Sequence, residues 1–146
     1  MLPLQLLPEH DRTIREHGER AFPHECCGFL LGRDRDDGRE VVEVAAALNS
    51  RGELELHNRF TIEPEAFMRA DRAARAAGLD ILGFYHSHPD APSRPSQYDL
   101  EHAWPVYSYV IVSVAGGAAD ELTSWVLRDD RSRFDPQPVA VADRSE

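Results

Sequence analysis

The sequence contains no lysine, and all sixteen of its Lys and Arg residues are arginine. A chain without lysine cannot use a lysine nucleophile or form a Schiff base with a carbonyl substrate. It also offers no lysine side chain for covalent modification. The absence therefore excludes the enzyme classes whose chemistry depends on a lysine amine.

Cysteine is nearly as scarce, because the chain carries only the adjacent pair Cys26 and Cys27. Neighbouring cysteines do not make a disulfide framework, which favours a reducing environment. No apolar run has the length of a membrane helix, and the apolar segment from Met1 to Pro8 lacks the basic region of a signal peptide. These absences predict a cytoplasmic protein without a membrane partner.

Positive charge is also in short supply, since 26 acidic residues against 16 basic ones give a net charge of −10. Neutralisation of phosphates by basic side chains is the main source of nucleic-acid affinity, so the acidic excess argues against a nucleic-acid partner. The 42% hydrophobic and 29% charged shares are typical of a globular chain. We expect one domain over residues 1–146, with its core at about residues 9–142.

The pattern of apolar residues predicts an α/β (α+β) fold with one mixed central β-sheet flanked by helices. Residues 64–77 form the clearest helix, because Phe67 and Ala74 share one face and Gly78 ends the pattern. Residues 79–85 are apolar on both faces, which predicts a central strand. The other predicted helices are 9–22 and 96–104, and the other predicted strands are 26–32, 40–48, 60–62, 107–114, 122–127 and 139–141.

Two histidines, His86 and His88, stand at the end of the predicted central strand. Side chains two apart on a strand lie on the same face, so both imidazoles point the same way. Pro89 breaks the strand, which places the pair at its rim, within reach of a substrate. Two neutral imidazoles at this spacing suit zinc, and a third ligand is then required.

Asp90 and Asp99 are the two candidates for that third ligand. Asp90 completes a His-x-His-x-Asp pattern of the metallo-β-lactamase type, but Ala91 stands where that pattern needs another histidine. Asp99 lies three residues after Ser96, the predicted N-cap of the next helix, so both side chains can face back toward the histidines. We therefore predict Asp99 as the ligand and leave a contribution from Asp90 open.

These residues resemble a known motif. His86-Ser-His88 with Ser96 and Asp99 is similar to the JAMM motif of the MPN+ metalloproteases. The segment Pro-His-Glu-Cys-Cys-Gly-Phe-Leu-Leu-Gly at 23–32 resembles the family's early strand with its upstream glutamate. Asn49 and the segment 59–65 resemble its lead into the second helix. The likeness runs from about residue 9 to about residue 127.

The resemblance implies a single MPN-like domain that holds one Zn²⁺ per chain. Carried over residue by residue, it makes His86, His88 and Asp99 the metal ligands. Glu25 would take a proton from the attacking water and pass it to the leaving amine. Ser96 would donate a hydrogen bond to the developing oxyanion, a role that can coexist with that of a helix N-cap.

The resemblance also implies a substrate, a ubiquitin-like or sulfur carrier protein with a glycine-ended C-terminal tail. Our first hypothesis is a zinc metallopeptidase that trims or releases such a carrier at the bond after its C-terminal glycine. The alternatives are an isopeptidase that removes a ubiquitin-like modifier from lysines and a non-catalytic MPN scaffold. No long inserted loop is evident, which favours a prokaryotic minimal-domain type, and the sequence leaves a homo-oligomer open.

Several neighbouring residues have simpler interpretations. We expect Cys27 to be a packing residue, and we leave open whether Cys26 or His24 touches the site. Tyr85, Tyr98 and Trp104 are aromatic residues that the sequence places in the core rather than against a substrate.

Overall fold

The computed structural model describes residues 1–48 and 62–142, and this part of the chain holds three helices and eight strands. The helices are α1 (Pro8–Ala21), α2 (Pro64–Ala76) and α3 (Gln97–His102). The strands are β1 (Leu4–Leu6), β2 (Cys27–Arg35), β3 (Gly38–Ala47), β4 (Asp80–Pro89), β5 (Ser108–Ala115), β6 (Ala118–Leu127), β7 (Phe134–Gln137) and β8 (Val139–Val141).

All eight strands form one sheet in the order β7-β6-β5-β4-β2-β3-β1-β8. The pairs β4–β5, β1–β3 and β1–β8 are parallel, whereas β2–β3, β2–β4, β5–β6 and β6–β7 are antiparallel. The predicted mixed sheet is therefore confirmed, and so is the central place of β4. A central strand is buried on both faces, which explains its apolar sequence.

The two edge strands of the sheet are consecutive along the chain. β7 ends at Gln137 and β8 begins at Val139, so Pro138 alone separates two strands at opposite ends of the strand order. The N–H of Leu4 donates to the Pro138 carbonyl at 2.8 Å, and the Gln137 amide donates to the Leu2 carbonyl at 3.1 Å. The sheet therefore curls until its edges meet, as in an incompletely closed barrel.

Each face of the sheet has its own apolar core. α1 covers one face, where Ile14 packs with Tyr85 and Leu30 among the fully buried residues. α2 covers the other face, where Phe67 and Ala74 pack near Phe29. Successive side chains of β4 alternate between these two environments, which separates Tyr85 on the α1 side from Phe84 on the α2 side.

The sequence predicted most of these elements. The helix expected at 64–77 and the strands expected at 26–32 and 40–48 are confirmed, with β4 extending further than expected, to Pro89. β1 and β7 were not predicted, because strands of three and four residues carry little periodic signal. The strand expected at 60–62 falls largely outside the described residues, and Ile62 is not in a strand.

The described residues include no helix with both the length and the apolar character needed to cross a lipid bilayer.

Candidate metal centre

β4 presents His86 and His88 on the face of the sheet opposite α1. The intervening Ser87 points to the other face, where its Cβ lies near Gly18 of α1 and its Oγ accepts from the Cys26 N–H at 2.9 Å. Both histidines are buried, at 1% and 8% exposure, and the strand ends one residue after them. Alternation along one central strand thus sets both imidazoles side by side.

Asp99 reaches the histidines from the first turn of α3. Ser96 caps this helix: its Oγ accepts from the Asp99 N–H at 3.1 Å, and the Ser96 N–H donates to Asp99 Oδ2 at 2.8 Å. This reciprocal pair is a capping box with aspartate in place of glutamate. The box therefore holds the carboxylate of Asp99 in a single orientation, with its side chain only 8% exposed.

Three potential ligand atoms converge at this point. His86 Nε2 and His88 Nε2 lie 3.1 Å apart, and Asp99 Oδ2 lies 3.4 Å from the first and 3.3 Å from the second. Zinc with ligands at 2.0–2.1 Å in a tetrahedron separates its ligand atoms by about 3.3–3.4 Å. The three atoms therefore have the spacing of three corners of such a site.

The second ring nitrogen of His88 determines its tautomer. Nδ1 lies 2.8 Å from the carbonyl oxygen of Pro92, an atom that can only accept, so Nδ1 carries the hydrogen. In the neutral ring this leaves the Nε2 lone pair directed at the cluster, as a metal ligand requires. His88 is therefore oriented by a contact of the kind usual for metal-binding histidines.

Burial and electrostatic attraction have opposite effects on the pKa values of the residues in this cluster. Burial dominates at His86 and lowers its pKa, which keeps that ring neutral. Burial also opposes the charged forms of His88 and Asp99. At His88 the hydrogen bond to Asp99 and the charge of its carboxylate outweigh burial, and at Asp99 the two histidines, His86 before His88, outweigh it. The pKa of His88 is consequently raised and that of Asp99 is well below its usual range. Asp99 is therefore a carboxylate at neutral pH, beside the neutral ring of His86.

Glu25 joins the cluster from the segment that leads into β2. Cys27 pairs with His86, and the Ser87 N–H donates to the Cys26 carbonyl, so continuing this antiparallel register brings Glu25 opposite His88. A carboxylate oxygen of Glu25 and one nitrogen of each histidine all lie within 4.8 Å of one another. Glu25 is buried at 5% exposure, so its charge faces the cluster rather than bulk water.

Other residues near the motif have structural roles. Asp90 Oδ1 accepts from the Gly116 N–H at 2.8 Å, and its own N–H donates to the Val114 carbonyl, so it braces the β5–β6 turn. His24 is exposed, whereas Cys26 lies in the core on the α1 side of the sheet. Cys27 is fully buried, as expected of a packing residue.

An apolar cavity of about 540 Å³ opens beside the cluster. His86 and Asp99 form part of its wall. The remainder comes from residues 62–68 at the start of α2, from α3 and the segment after it, and from Phe84 and Tyr109 of β4 and β5. Trp104 is 66% exposed at this cavity, so its expected place in the core is wrong, whereas Tyr85 is fully buried as expected. The sequence carried no signal for the cavity, because its wall combines residues from separate elements.

Comparison with known proteins decides the family. The family model of the prokaryotic homologues of the JAB domain, Prok-JAB, matches residues 8–128. The chain belongs to the Prok-JAB family. The resemblance to the JAMM/MPN family is thereby confirmed.

Three curated relatives of this Prok-JAB chain carry functional names. A desampylase of Haloferax volcanii is 38% identical over 103 residues, 70% of this chain and 71% of the relative. A desampylase of Pyrococcus furiosus is 34% identical over 107 residues, 72% and 68% of the two chains. A probable TtuB-protein conjugate cleaving protease of Thermus thermophilus is 35% identical over 120 residues, 79% and 70% of the two chains.

Two solution structures share the fold of this Prok-JAB chain. A protein of Desulfitobacterium hafniense superposes with a TM-score of 0.84 at 28% identity, covering 97% of this chain and 94% of its own. A protein of Salinibacter ruber gives a TM-score of 0.73 at 43% identity, covering 98% and 93%. These values agree with a single MPN-like α+β domain.

Proposed function

We propose that this protein is a zinc-dependent hydrolase that cleaves conjugates of a ubiquitin-like protein at the bond after its C-terminal glycine. The observation that carries the proposal is the convergence of His86 Nε2, His88 Nε2 and Asp99 Oδ2 at 3.1–3.4 Å, with the buried Glu25 beside both histidines. Two imidazoles, one carboxylate and an open fourth position form the ligand set of a catalytic zinc site.

His86, His88 and Asp99 would hold the metal. When bound there, zinc lowers the pKa of a coordinated water to about 7 and polarises the scissile carbonyl. The capping box keeps Asp99 Oδ2 aimed at the site, and the Pro92 carbonyl does the same for His88. Little side-chain reorganisation is then needed, which favours the reaction.

Glu25 and Ser96 would supply the proton transfer and the oxyanion contact. Glu25 accepts a proton from the attacking water and delivers it to the amine that leaves. The Ser96 hydroxyl accepts one hydrogen bond as a helix cap, so its own hydrogen can be donated to the carbonyl oxygen as negative charge develops. Glu25 lies just before β2 and Ser96 just before α3, so the backbone of these elements positions both groups.

The names of the relatives and the cavity support the substrate class. One relative is named for cleaving TtuB-protein conjugates and two are named desampylases, which favours removal of a protein conjugate over C-terminal trimming. A glycine-ended tail can lie extended across the buried cluster, and the apolar cavity beside it can take larger side chains of the substrate. Trimming or release of a sulfur carrier uses the same residues and is our second candidate.

An intact-mass cleavage assay tests the proposal. A ubiquitin-like carrier ending in Gly-Gly is offered in two forms, one isopeptide-linked to a lysine and one extended by an α-linked C-terminal residue. The zinc-loaded wild type should release the lysine adduct. The variant Glu25→Gln should retain zinc, because the ligands remain, and should be slower by about 100-fold or more without its proton carrier.

The outcomes separate the alternatives. Cleavage of the α-linked form alone would favour the trimming peptidase. Zinc binding with wild-type turnover in Glu25→Gln would show that the assigned base is wrong. A wild type that binds no zinc and cleaves neither form would leave the scaffold interpretation.

A further inference from the structure

We propose that Thr123 and Trp125, on β6, are positioning residues that set the geometry of the metal ligands through the loop between β4 and α3. The inference rests on the proposed metal site. It concerns how the two ligands on a strand and the one ligand on a helix keep their relative positions. Neither residue belongs to the motif, and neither belongs to the ligand cluster.

The loop needs such support because it joins the two halves of the ligand set. His86 and His88 are on β4, whereas Asp99 is on α3, a helix of only six residues. The loop also carries the Pro92 carbonyl that orients the His88 ring. A shift of this loop would therefore disturb both the His88 tautomer contact and the separation between Asp99 and the histidines.

Two side chains of β6 donate hydrogen bonds to the loop at the residue after Pro92. The Ser93 carbonyl accepts from the Thr123 hydroxyl and from the Trp125 indole N–H, the latter at 3.2 Å. The indole N–H also lies 2.8 Å from Thr123 Oγ1, which ties the two donors together. Ser93 is 1% exposed and its own hydroxyl donates to Glu121 at 2.7 Å, so this residue is the buried anchor of the loop.

The earlier part of the loop is tied to β5 in the same way. The Ser113 hydroxyl donates to the Ala91 carbonyl at 2.7 Å, and the Asp90 N–H donates to Val114 at 2.7 Å. The ties at Ala91 and Ser93 therefore flank Pro92. The hydrogen bonds from Thr123 and Trp125, together with the one from Ser93 to Glu121, lie on the side of Pro92 toward Ser96, where α3 begins.

The decisive experiment measures zinc affinity by competition with a chromophoric chelator, using the metal-stripped full chain. Thr123→Val removes the hydroxyl at nearly constant side-chain volume, whereas Thr123→Ser retains the hydroxyl. Loss of a group that contacts a metal ligand directly typically weakens metal binding 10–100-fold, and a support one contact further out should fall at the lower end of that range, about tenfold. We expect about that loss for Thr123→Val and for Trp125→Phe, and near wild-type affinity for Thr123→Ser.

Ser124→Ala is the matched control on the same strand. Ser124 is buried and its hydroxyl donates to Gln137 of β7 at 2.8 Å, so its removal weakens β6 without touching the loop. Its zinc affinity should stay within about twofold of the wild type. The absorption spectrum of the cobalt-substituted protein should change for Thr123→Val and not for Ser124→Ala, because it reports ligand geometry.

Each result then has one meaning. Equal zinc affinity and equal cobalt spectra for Thr123→Val, Thr123→Ser and wild type would overturn the positioning role. An equal loss of affinity in Ser124→Ala would also overturn it, since general weakening of β6 would then suffice. A wild type that binds no zinc would instead refute the proposed function.

Discussion

At the scale of single residues, Ser96 caps α3 and is also the donor that we propose for the developing oxyanion. Its hydroxyl oxygen caps α3 by accepting from the Asp99 N–H, while its backbone N–H holds the Asp99 carboxylate. The capping role was foreseeable, because serine three residues before an acidic residue is a capping pattern. The catalytic role stays a prediction, and the two can be separated by substitution.

Glycine at this position separates them, because it caps a helix almost as well as serine but has no hydroxyl. Ser96→Gly should retain zinc, lose only a few tenths of a kcal/mol of stability, and lose roughly 100–1000-fold in kcat. Ser96→Thr keeps both hydroxyl and cap and is the matched control. Wild-type kcat in the glycine variant, measured by the mass assay, would show that Ser96 serves only as the cap.

The two cysteines should be chemically inert in the native protein. Burial raises the pKa of the Cys26 thiol to about 11 and that of Cys27 to about 12, both from an ordinary value of 9.0. Thiolate is the reactive form, so native protein at pH 8 should resist iodoacetamide, whereas denatured protein should take up two labels. Rapid native labelling, counted by intact mass, would contradict this.

The same shift has a consequence for stability. A thiol whose pKa is raised in the folded state stabilises the fold below its unfolded pKa. That contribution should decline as pH rises from about 9 through 11 and 12. Urea midpoints measured along this range for the wild type and Cys27→Ala should converge as the pH rises.

At the scale of elements, β2 and β4 meet through a glycine and an aromatic ring. Gly28 and Tyr85 are directly paired across the two antiparallel strands, and a Cβ on Gly28 would lie 2.1 Å from the Tyr85 ring. The ring is fully buried and its hydroxyl lies 2.7 Å from His17 Nδ1 of α1. The missing side chain therefore makes room for the ring that joins β4 to α1.

Gly28→Ala should thus destabilise the fold by about 1–3 kcal/mol, because a fixed ring occupies the space of the new methyl group. Urea unfolding would measure the loss. In a Tyr85→Leu background the same glycine substitution should cost much less, which a double-mutant cycle detects. Additive costs would mean that strand conformation, rather than the ring, is responsible.

At the scale of the whole molecule, the proposed metal site brings together residues from three separate elements. Its ligands come from the central strand and from α3, and Glu25 comes from the lead into β2. A metal that binds only the folded chain stabilises it by mass action, by about 2.7 kcal/mol at 100 times Kd. Zinc should therefore raise the melting temperature.

For a domain of this length we expect a rise on the order of 5–10 °C between chelated and zinc-loaded protein. Differential scanning calorimetry with and without zinc measures it. His86→Ala should melt at one temperature in both conditions, since the ligand set is then incomplete. An equal zinc-dependent shift in that variant would point to a different ligand set.

The curl of the sheet is also a property of the whole molecule. β7 and β8 lie at opposite ends of the strand order although Pro138 alone separates them. β7 was missed from the sequence and β8 was expected only as a last short strand. Their placement depends on hydrogen bonds to the first residues of the chain, which no local pattern reveals.

Features that depend on near neighbours along the chain can be predicted from the amino-acid sequence alone. The period of two on β4 puts His86 and His88 on one face, and the cap at Ser96 turns Asp99 toward the start of its helix. Apolar periodicity and glycine or proline breaks located most of the helices and strands. These signals are local because backbone geometry repeats over a few residues.

Contacts between residues that are distant in sequence become evident in the folded structure. The approach of Glu25 to the histidines follows from the register between β2 and β4. The hydrogen bonds from Thr123 and Trp125 to the Ser93 carbonyl follow from the way β6 lies against the loop. The apolar cavity likewise forms between elements that are distant in sequence. Such contacts depend on the packing of the whole chain, so no short stretch of sequence encodes them.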